Sequence, residues 1–377
     1  VPTPTTLKIF DVEYTVEDDV PGVDGESAVI HLFGRDVEGI HCHVEVTGFT
    51  PYFCVPTEEL RQQAEALAND SRITGVQHGE QSFDPDDPPL SKIETRLPKH
   101  VGELRGGFEN PFEGDVLYPN RFLVDKEIVQ CCQIDAPVDE RVSAEDVQGV
   151  EDTDVANIPP RVCTIDIEVQ QGGDGPSVIS ESGIEQARNA ITAITLHDSY
   201  TDEYVVFVLE HDEWDHERRL GTDVDVAAVN TYSEERHLLQ AVCENIGNMR
   251  PDVFTAWNVG FDAPYLVNRC MGMDLPAVYE LSPLGRVYEM NGDGNFIDSS
   301  IKGMIIMDLI KMFKKTEFRD NESYTLRHIA NEVLDEVGKL DVQDIDEVWK
   351  SDPEQFVRYN KIDVEAAVGI NETRKIL

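Results

Sequence analysis

The chain has 377 residues, 40% of them hydrophobic, which is enough for two or three ordinary cores and excludes a peptide, a disordered tail or a repeat array. Its 74 acidic against 31 basic residues leave a formal net charge of −43, which argues against a generally basic nucleic-acid binder and confines any contact with DNA to a local surface or to heavy salt. Seven cysteines without a C-x-x-C pair point to neither a disulfide framework nor a zinc site, so a reducing compartment is expected.

In chain order, the start VPTPTTLKIF lacks a basic region followed by an apolar core, and no later apolar run approaches the roughly 18 residues of a membrane span. No membrane association and a cytoplasmic location are expected, with an initiator Met already trimmed. From Leu7 to Val55 the alternating bursts LKIFDVEY, SAVIHLFGRD, IHCHVEV and PYFCV predict a small β-rich unit. EELRQQAEAL predicts a helix, SFDPDDPPL a loop, KHVGELRGGF a further helical piece and RFLVDKEI an apolar segment, so an α+β N-terminal domain is expected over residues 1–130. Residues 131–157 are acidic and poor in large apolar side chains, which predicts a linker before a second domain at 158–377. There RVCTIDIEV, ARNAITAITLHDS and EYVVFVLE predict three strands, about Ser233 to Met249 a helix and DVFTAWNV a fourth strand, as in an α/β domain with a mixed sheet. The last third, including MIIMDLIKMF and YTLRHIANEVL, predicts mostly helix.

Three segments carry candidate chemistry. In VCTIDIEV the strand period puts Asp166 and Glu168 on one face, with Ile165 and Ile167 on the other, beside a Gly172-Gly173 turn where open α/β sheets place ligands. A solvated polar face is the alternative. In AWNVGFDAPYLVNR a strand is expected to run through a tight Gly-containing turn into a helix with Pro264 in its first turn, leaving Asp262 at the helix start as a ligand or as an ordinary cap. In RYNKIDVEAA Tyr359 and Asp363 are four apart and share a helix face. Four carboxylates beside a tyrosine suit two hard divalent cations, Mg²⁺ or Mn²⁺, which take oxygen ligands and can clamp both the attacking and leaving oxygens of a phosphodiester.

In the order CTIDIEV, NVGFDAPYL and YNKIDV, these motifs resemble those of the family-B DNA polymerases of archaea, and the similarity runs over nearly the whole chain. The resemblance implies a ribonuclease-H-like 3′–5′ exonuclease domain with a mixed sheet, preceded by an α+β domain that reads the template. It makes Asp166, Glu168, Asp262 and Asp363 metal ligands, has Tyr359 orient the attacking water, and sets Asn258 and Phe261 against DNA. The segments DVEYT, FTPYF, LPKHVGELR and FEGDV resemble a uracil-reading pocket, which implies roles for Tyr14, Pro51, Val101 and Phe112. Two departures are plain: two residues rather than three separate Asn258 from the Phe261-Asp262 pair, and Val169 stands where the family often has Thr. The partners implied are a single-stranded 3′ end, primer–template DNA and a sliding clamp bound through a later part of the polymerase. No palm signature precedes Leu377, so this segment is not expected to copy DNA by itself. A free-standing exonuclease or a non-catalytic DNA-binding module are the other readings; the N-terminal segments weigh against the first and the intact carboxylate set against the second.

The acid excess is spread along the chain, and at about 1 M salt a Debye length of about 3 Å erases most of its self-repulsion, so a halophile is the expected source. Lys302, Lys311, Lys314 and Lys315 form the least acidic stretch, a place for a phosphate backbone or simply a solvated helix face. Phe261 and Tyr265 are candidates to stack on bases, at least one of them being expected in the core, as is Trp257. The histidines form no H-x-x-x-H pattern and are expected to be structural.

Overall fold

The computed structural model describes residues 4–18, 20, 25–79, 88–137, 141–172, 176–214, 220, 224–288, 301–317, 321–334 and 344–377. Gly173 and most of the SFDPDDPPL loop lie outside the described residues. The chain divides into two units, Val1–Pro159 and Pro160–Leu377.

The first unit runs β1 (Thr5–Glu17), β2 (Ser27–Arg35), β3 (His41–Thr47), β4 (Tyr52–Pro56), α1 (Thr57–Ala68), β5 (Ile73–Gln77), β6 (Leu90–Thr95), α2 (Pro98–Arg105), α3 (Tyr118–Asp125), β7 (Cys131–Ile134), β8 (Val142–Ser143), β9 (Val147–Val150) and α4 (Thr153–Ala156). One sheet has the order β8-β3-β2-β1-β7-β9 and a second the order β4-β6-β5. Leu7, Ile30, Leu32, Val44 and Val46 point to one face of the larger sheet and are fully buried with Phe122 of α3. Phe53, Val55, Ile93 and Val101 form the core of the smaller one.

The expected linker at 131–157 is instead part of this unit. Cys132 and Ile134 of β7, Val142 of β8, Val147 of β9 and Ala144 in the turn between β8 and β9 all join the main core, and β7 and β9 extend the sheet beyond β1. Low apolar content is compatible with strands here because short strands in an antiparallel sheet with one solvated side need only one buried face. Gly149 shows how tightly the segment is held: its N–H donates to the Lys126 carbonyl at 2.7 Å, and a Cβ there would lie 2.0 Å from the Glu127 carbonyl oxygen. Gly149→Ala is therefore expected to destabilise the protein by about 1–3 kcal/mol through forced backbone movement. An unchanged thermal unfolding midpoint would mean that the segment hangs free as a linker.

The second unit runs β10 (Val162–Val169), α5 (Glu181–Gln186), β11 (Ile191–Asp198), β12 (Glu203–Leu209), β13 (Ala228–Tyr232), α6 (Glu235–Met249), β14 (Val253–Ala256), α7 (Val259–Gly272), β15 (Ile305–Asp308), α8 (Leu309–Thr316), α9 (Leu326–Val333), α10 (Ile345–Ser351) and α11 (Pro353–Arg374). Its sheet has the order β13-β12-β11-β10-β14-β15, with β10, β11 and β12 antiparallel and the remaining pairings parallel. Cys163, Ile165, Ile167 and Val169 pack with Leu238 and Val242 of α6 and Leu266 of α7 on one face. On the other face Ala193, Val206 and Val208 lie under Phe356 and Val357 of α11. The catalytic candidates of β10 alternate with its core residues and so point toward α11.

Two local expectations are corrected. MIIMDLIKMF is not one helix: Ile305–Asp308 pairs parallel with β14, and Asp308 caps the helix that follows by accepting the Lys311 N–H at 2.8 Å. A four-residue apolar run is equally compatible with either period, and the open edge of β14 decides it. The turn ahead of α7 falls at Trp257-Asn258 and does not contain the glycine; α7 begins at Val259, so Gly260 is helical and Pro264 lies past the first turn.

Candidate active site

Asp166 and Glu168 project from β10, and Asp363 projects from α11. Their carboxylate oxygens lie within 4.8 Å of one another. The long helix that carries Asp363 is well specified: Pro353 occupies its first turn, Asp352 accepts the Gln355 N–H at 3.1 Å, and Lys375 ends it in the left-handed region. The strand period and the helix thus deliver two carboxylates from below and one from above.

Asp262 is 4% exposed and does not cap α7. Its carboxylate reaches across to β10 and accepts the Ile167 N–H at 3.2 Å, between the two acidic residues of that strand. Asn258, the residue before α7, makes no side-chain cap and is exposed. Tyr359 donates its hydroxyl to Asp363, one helical turn away.

The charges are strongly coupled. Burial, then the charges of Glu168, Asp262 and Asp363, raises the Asp166 carboxyl well above its ordinary range, against an opposing hydrogen bond from Asn360. Burial and the charges of Asp363, Asp262 and Asp346 do the same to Glu168. Burial pushes Asp262 up to about 8, opposed by the Ile167 N–H. Asp363 is pushed up to about 6 by burial, with Tyr359 and Arg327 pulling it back. The Tyr359 phenol is raised by burial and by the carboxylates around it, so it stays protonated.

Asn360, Thr195 and Asp346 were not singled out from the sequence. Thr195 of β11 is the cross-strand partner of Asp166, and its hydroxyl donates to Asn360 Oδ1 at 2.6 Å. Asn360 is fully buried and donates Nδ2 to Asp166 Oδ2 at 2.7 Å. This relay locks the rotamer of Asp166. Asp346 of α10 accepts the Gln171 N–H, tying that helix to the end of β10. Asn360 is adjacent to Tyr359 in sequence, yet only the packing of α11 on the sheet reveals its partner.

Of the aromatic candidates, Tyr265 is fully buried, its hydroxyl donating to the Asn189 carbonyl at 3.0 Å, so it is a core residue. Phe261 is half-buried with its ring 5.5 Å from that of Tyr265. Trp257 is 7% exposed and donates to the Tyr324 carbonyl at 3.0 Å, as expected of a core residue. Lys311, Lys314 and Lys315 are exposed on α8, whereas Lys302 lies half-buried ahead of β15.

In the first unit, Pro51, Val101 and Phe112 all lie by β4. Pro51 precedes the strand and accepts the Thr95 N–H, Phe112 is bridged to Cys54, and Val101 packs with Phe53 and Val55. Tyr14 is on β1, 37% exposed, with its ring edge-on to Tyr118 at 5.4 Å.

A mixed sheet flanked by helices, with clustered carboxylates aimed at the last helix, defines a nuclease-type α/β domain. Residues 109–329 match the family described as DNA polymerase family B, exonuclease domain. The chain belongs to that family. It is 30% identical over 237 residues to the DNA-directed DNA polymerase of Enterobacteria phage T4, an alignment that covers 57% of this chain and 26% of the phage protein. It is 22% identical over 382 residues to a DNA polymerase of Thermococcus aggregans, covering 95% of this chain and 17% of that one. The structure of the family B DNA polymerase from Pyrobaculum calidifontis superimposes with a TM-score of 0.71 at 21% identity, over 97% of this chain and 45% of that chain. The chain thus spans about a quarter of the length of the phage relative. Among the described residues no helix is long and apolar enough to cross a membrane.

Proposed function

We propose that this chain carries the proofreading part of a replicative DNA polymerase and hydrolyses the last phosphodiester of a frayed 3′ end, releasing a deoxynucleoside monophosphate. The observation that carries this reading is the convergence of Asp166, Glu168 and Asp363, with ligand oxygens within 4.8 Å. The donor set fits divalent cations: it is all oxygen, it is hard, and burial and mutual repulsion raise both carboxyls of β10 far above their ordinary range, a cost that bound cations would remove. Mg²⁺ or Mn²⁺ would be held by Asp166, Glu168 and Asp363, with Asp262 beside them. When bound, a pair of such ions supplies an acidified water and neutralises charge on the leaving oxygen.

The chain's own groups do the positioning. Asn360 and Thr195 keep Asp166 in one rotamer, and Tyr359, neutral and hydrogen-bonded to Asp363, orients the water that attacks in line with the scissile bond. Asn360→Ala is expected to lower the turnover number about 10–100-fold and to weaken Mn²⁺ binding, as loss of a ligand-orienting partner does. A titration showing wild-type Mn²⁺ affinity and rate would remove Asn360 from this role.

Asn258, exposed at the start of α7, and the half-buried Phe261 are assigned to the frayed strand, and the exposed lysines of α8 to its phosphates. Tyr14, Pro51, Val101 and Phe112 are assigned to a template-uracil pocket in the first unit, the two buried residues, Pro51 and Val101, forming its apolar wall. Primer–template DNA and, through the wider polymerase, a sliding clamp are the partners of this reading, and the cytoplasm its location. The net charge of −43 supports working conditions near molar salt.

The test is nucleotide release from 3′-labelled single-stranded DNA by the chain and its Asp166→Ala variant in molar KCl with Mg²⁺ or Mn²⁺. Release that requires the metal and vanishes in the variant is expected. Equal release by both would overturn the assignment of the site.

A further inference from the structure

We propose a second metal site, in the first unit, at which His31, His43 and Glu45 bind a zinc-class divalent cation. His31 lies on β2 directly opposite Glu45 of β3, and His43 is opposite Phe33, so all three donors share one face of the sheet, opposite the face that builds the apolar core. Their ligand atoms lie within 4.8 Å of one another. Two imidazoles and a carboxylate are a borderline-soft set that suits Zn²⁺ with water in the fourth position, unlike the all-oxygen site of the second unit.

The surroundings orient the donors. Thr15 donates its only hydroxyl proton to Glu17 Oε1 at 2.7 Å, so its oxygen must accept from His31 Nε2 at 2.8 Å. The proton on Nε2 leaves the Nδ1 lone pair of the neutral ring aimed at His43 Nε2, 2.9 Å away. His43 is held by stacking on Phe33, centroid to centroid 4.6 Å. Arg141 bridges Glu17 and Glu45 Oε2, closing a ring of contacts around the site. A hydroxyl and carboxylate behind a histidine, fixing its tautomer, is the outer arrangement that metal-ligating histidines use. Ligands about 2.05 Å from a tetrahedral Zn²⁺ are about 3.3 Å apart, so the two nitrogens need to separate by only a few tenths of an ångström, with the His43 proton carried on Nδ1. His31 is 2% exposed while His43 and Glu45 are half-buried, which leaves an entry path on the β3 side.

Co²⁺ is the probe, added to the chelator-stripped full chain in excess Mg²⁺ so that the oxygen site is occupied. The expected result is one equivalent of Co²⁺ with the intense visible bands of tetrahedral nitrogen ligation, displaced by stoichiometric Zn²⁺. Asp166→Ala should retain it, and His31→Ala and His43→Ala should lose it. Thr15→Val and Glu45→Gln, which keep both imidazoles, should weaken Co²⁺ binding about 10–100-fold and decide the matter if the histidine variants do not fold. Absence of the bands in the wild type, their loss in Asp166→Ala, or unchanged affinity in both Thr15→Val and Glu45→Gln would overturn the site.

Discussion

Asp166→Ala should reduce metal-dependent nucleotide release by at least about 10³-fold, whereas Tyr359→Phe should cost only about 10–100-fold. Asp166 is fixed by the hydrogen bond from the Asn360 amide, and it is coupled to all three of the other acids. Removing it leaves Glu168 and Asp363 on opposite elements without the ligand between them. Charge stabilisation by such ions amounts to several kcal/mol, and each 1.36 kcal/mol is about tenfold in rate. Tyr359 acts on the water through orientation alone, a smaller effect that scales with misplacement. Because the ligands work as a unit, Asp166→Ala combined with Asp363→Ala should cost little more than either alone. Single-turnover rates on 3′-labelled DNA at saturating metal measure both; additive losses from the two substitutions would mean that Asp166 and Asp363 serve separate sites.

In the absence of metal, Asp262→Asn should make the chain more stable, and the gain should grow with pH. Asp262 is pushed up to about 8 by burial, from an ordinary value of 3.8. Between about pH 4 and 8 the folded state therefore binds more protons than the unfolded state, and stability falls as pH rises through that window. The amide oxygen of an asparagine can still accept the Ile167 N–H, so the substitution removes the charge and keeps the contact. Near pH 4, where the carboxyl is protonated in the folded chain and about half protonated in the unfolded one, the two proteins should melt closest together. At pH 8 in chelator the variant should melt roughly 5–10 °C higher, a few kcal/mol at about 2–4 °C for each. Saturating Mg²⁺ should narrow or reverse the difference, since a cation that binds only the folded state stabilises it in proportion to its affinity. A wild type as stable as Asp262→Asn at pH 8 in chelator would mean that Asp262 carries no buried charge.

The same two sites separate what a sequence states from what only packing decides. That Asp166 and Glu168 share a face, and that Tyr359 and Asp363 do, follows from the periods of strand and helix, which are local. The four strands RVCTIDIEV, ARNAITAITLHDS, EYVVFVLE and DVFTAWNV were legible for the same reason, through dense β-branched alternation. The segment at 131–157 was not legible, because short strands with one buried face need few apolar residues, and β7 joins the sheet only by pairing with β1, far away in the chain. Ile305–Asp308 became a strand only because β14 offered an open edge.

The sequence by itself determined the chemistry on offer: the charge that keeps nucleic-acid contact local, the pairs of carboxylates one period apart, and the order of motifs that marks the family. Tertiary structure alone decided which of these side chains meet. It brought α11 onto the face of β10, set Asp262 on the Ile167 N–H rather than at a helix cap, linked Thr195 to Asp166 through Asn360, and paired β2 with β3 so that His31 and His43 touch. The physical reason is that a residue's facing is set by backbone geometry within a few residues, whereas its partner is set by burial of apolar faces contributed by elements from 12 to 194 positions away.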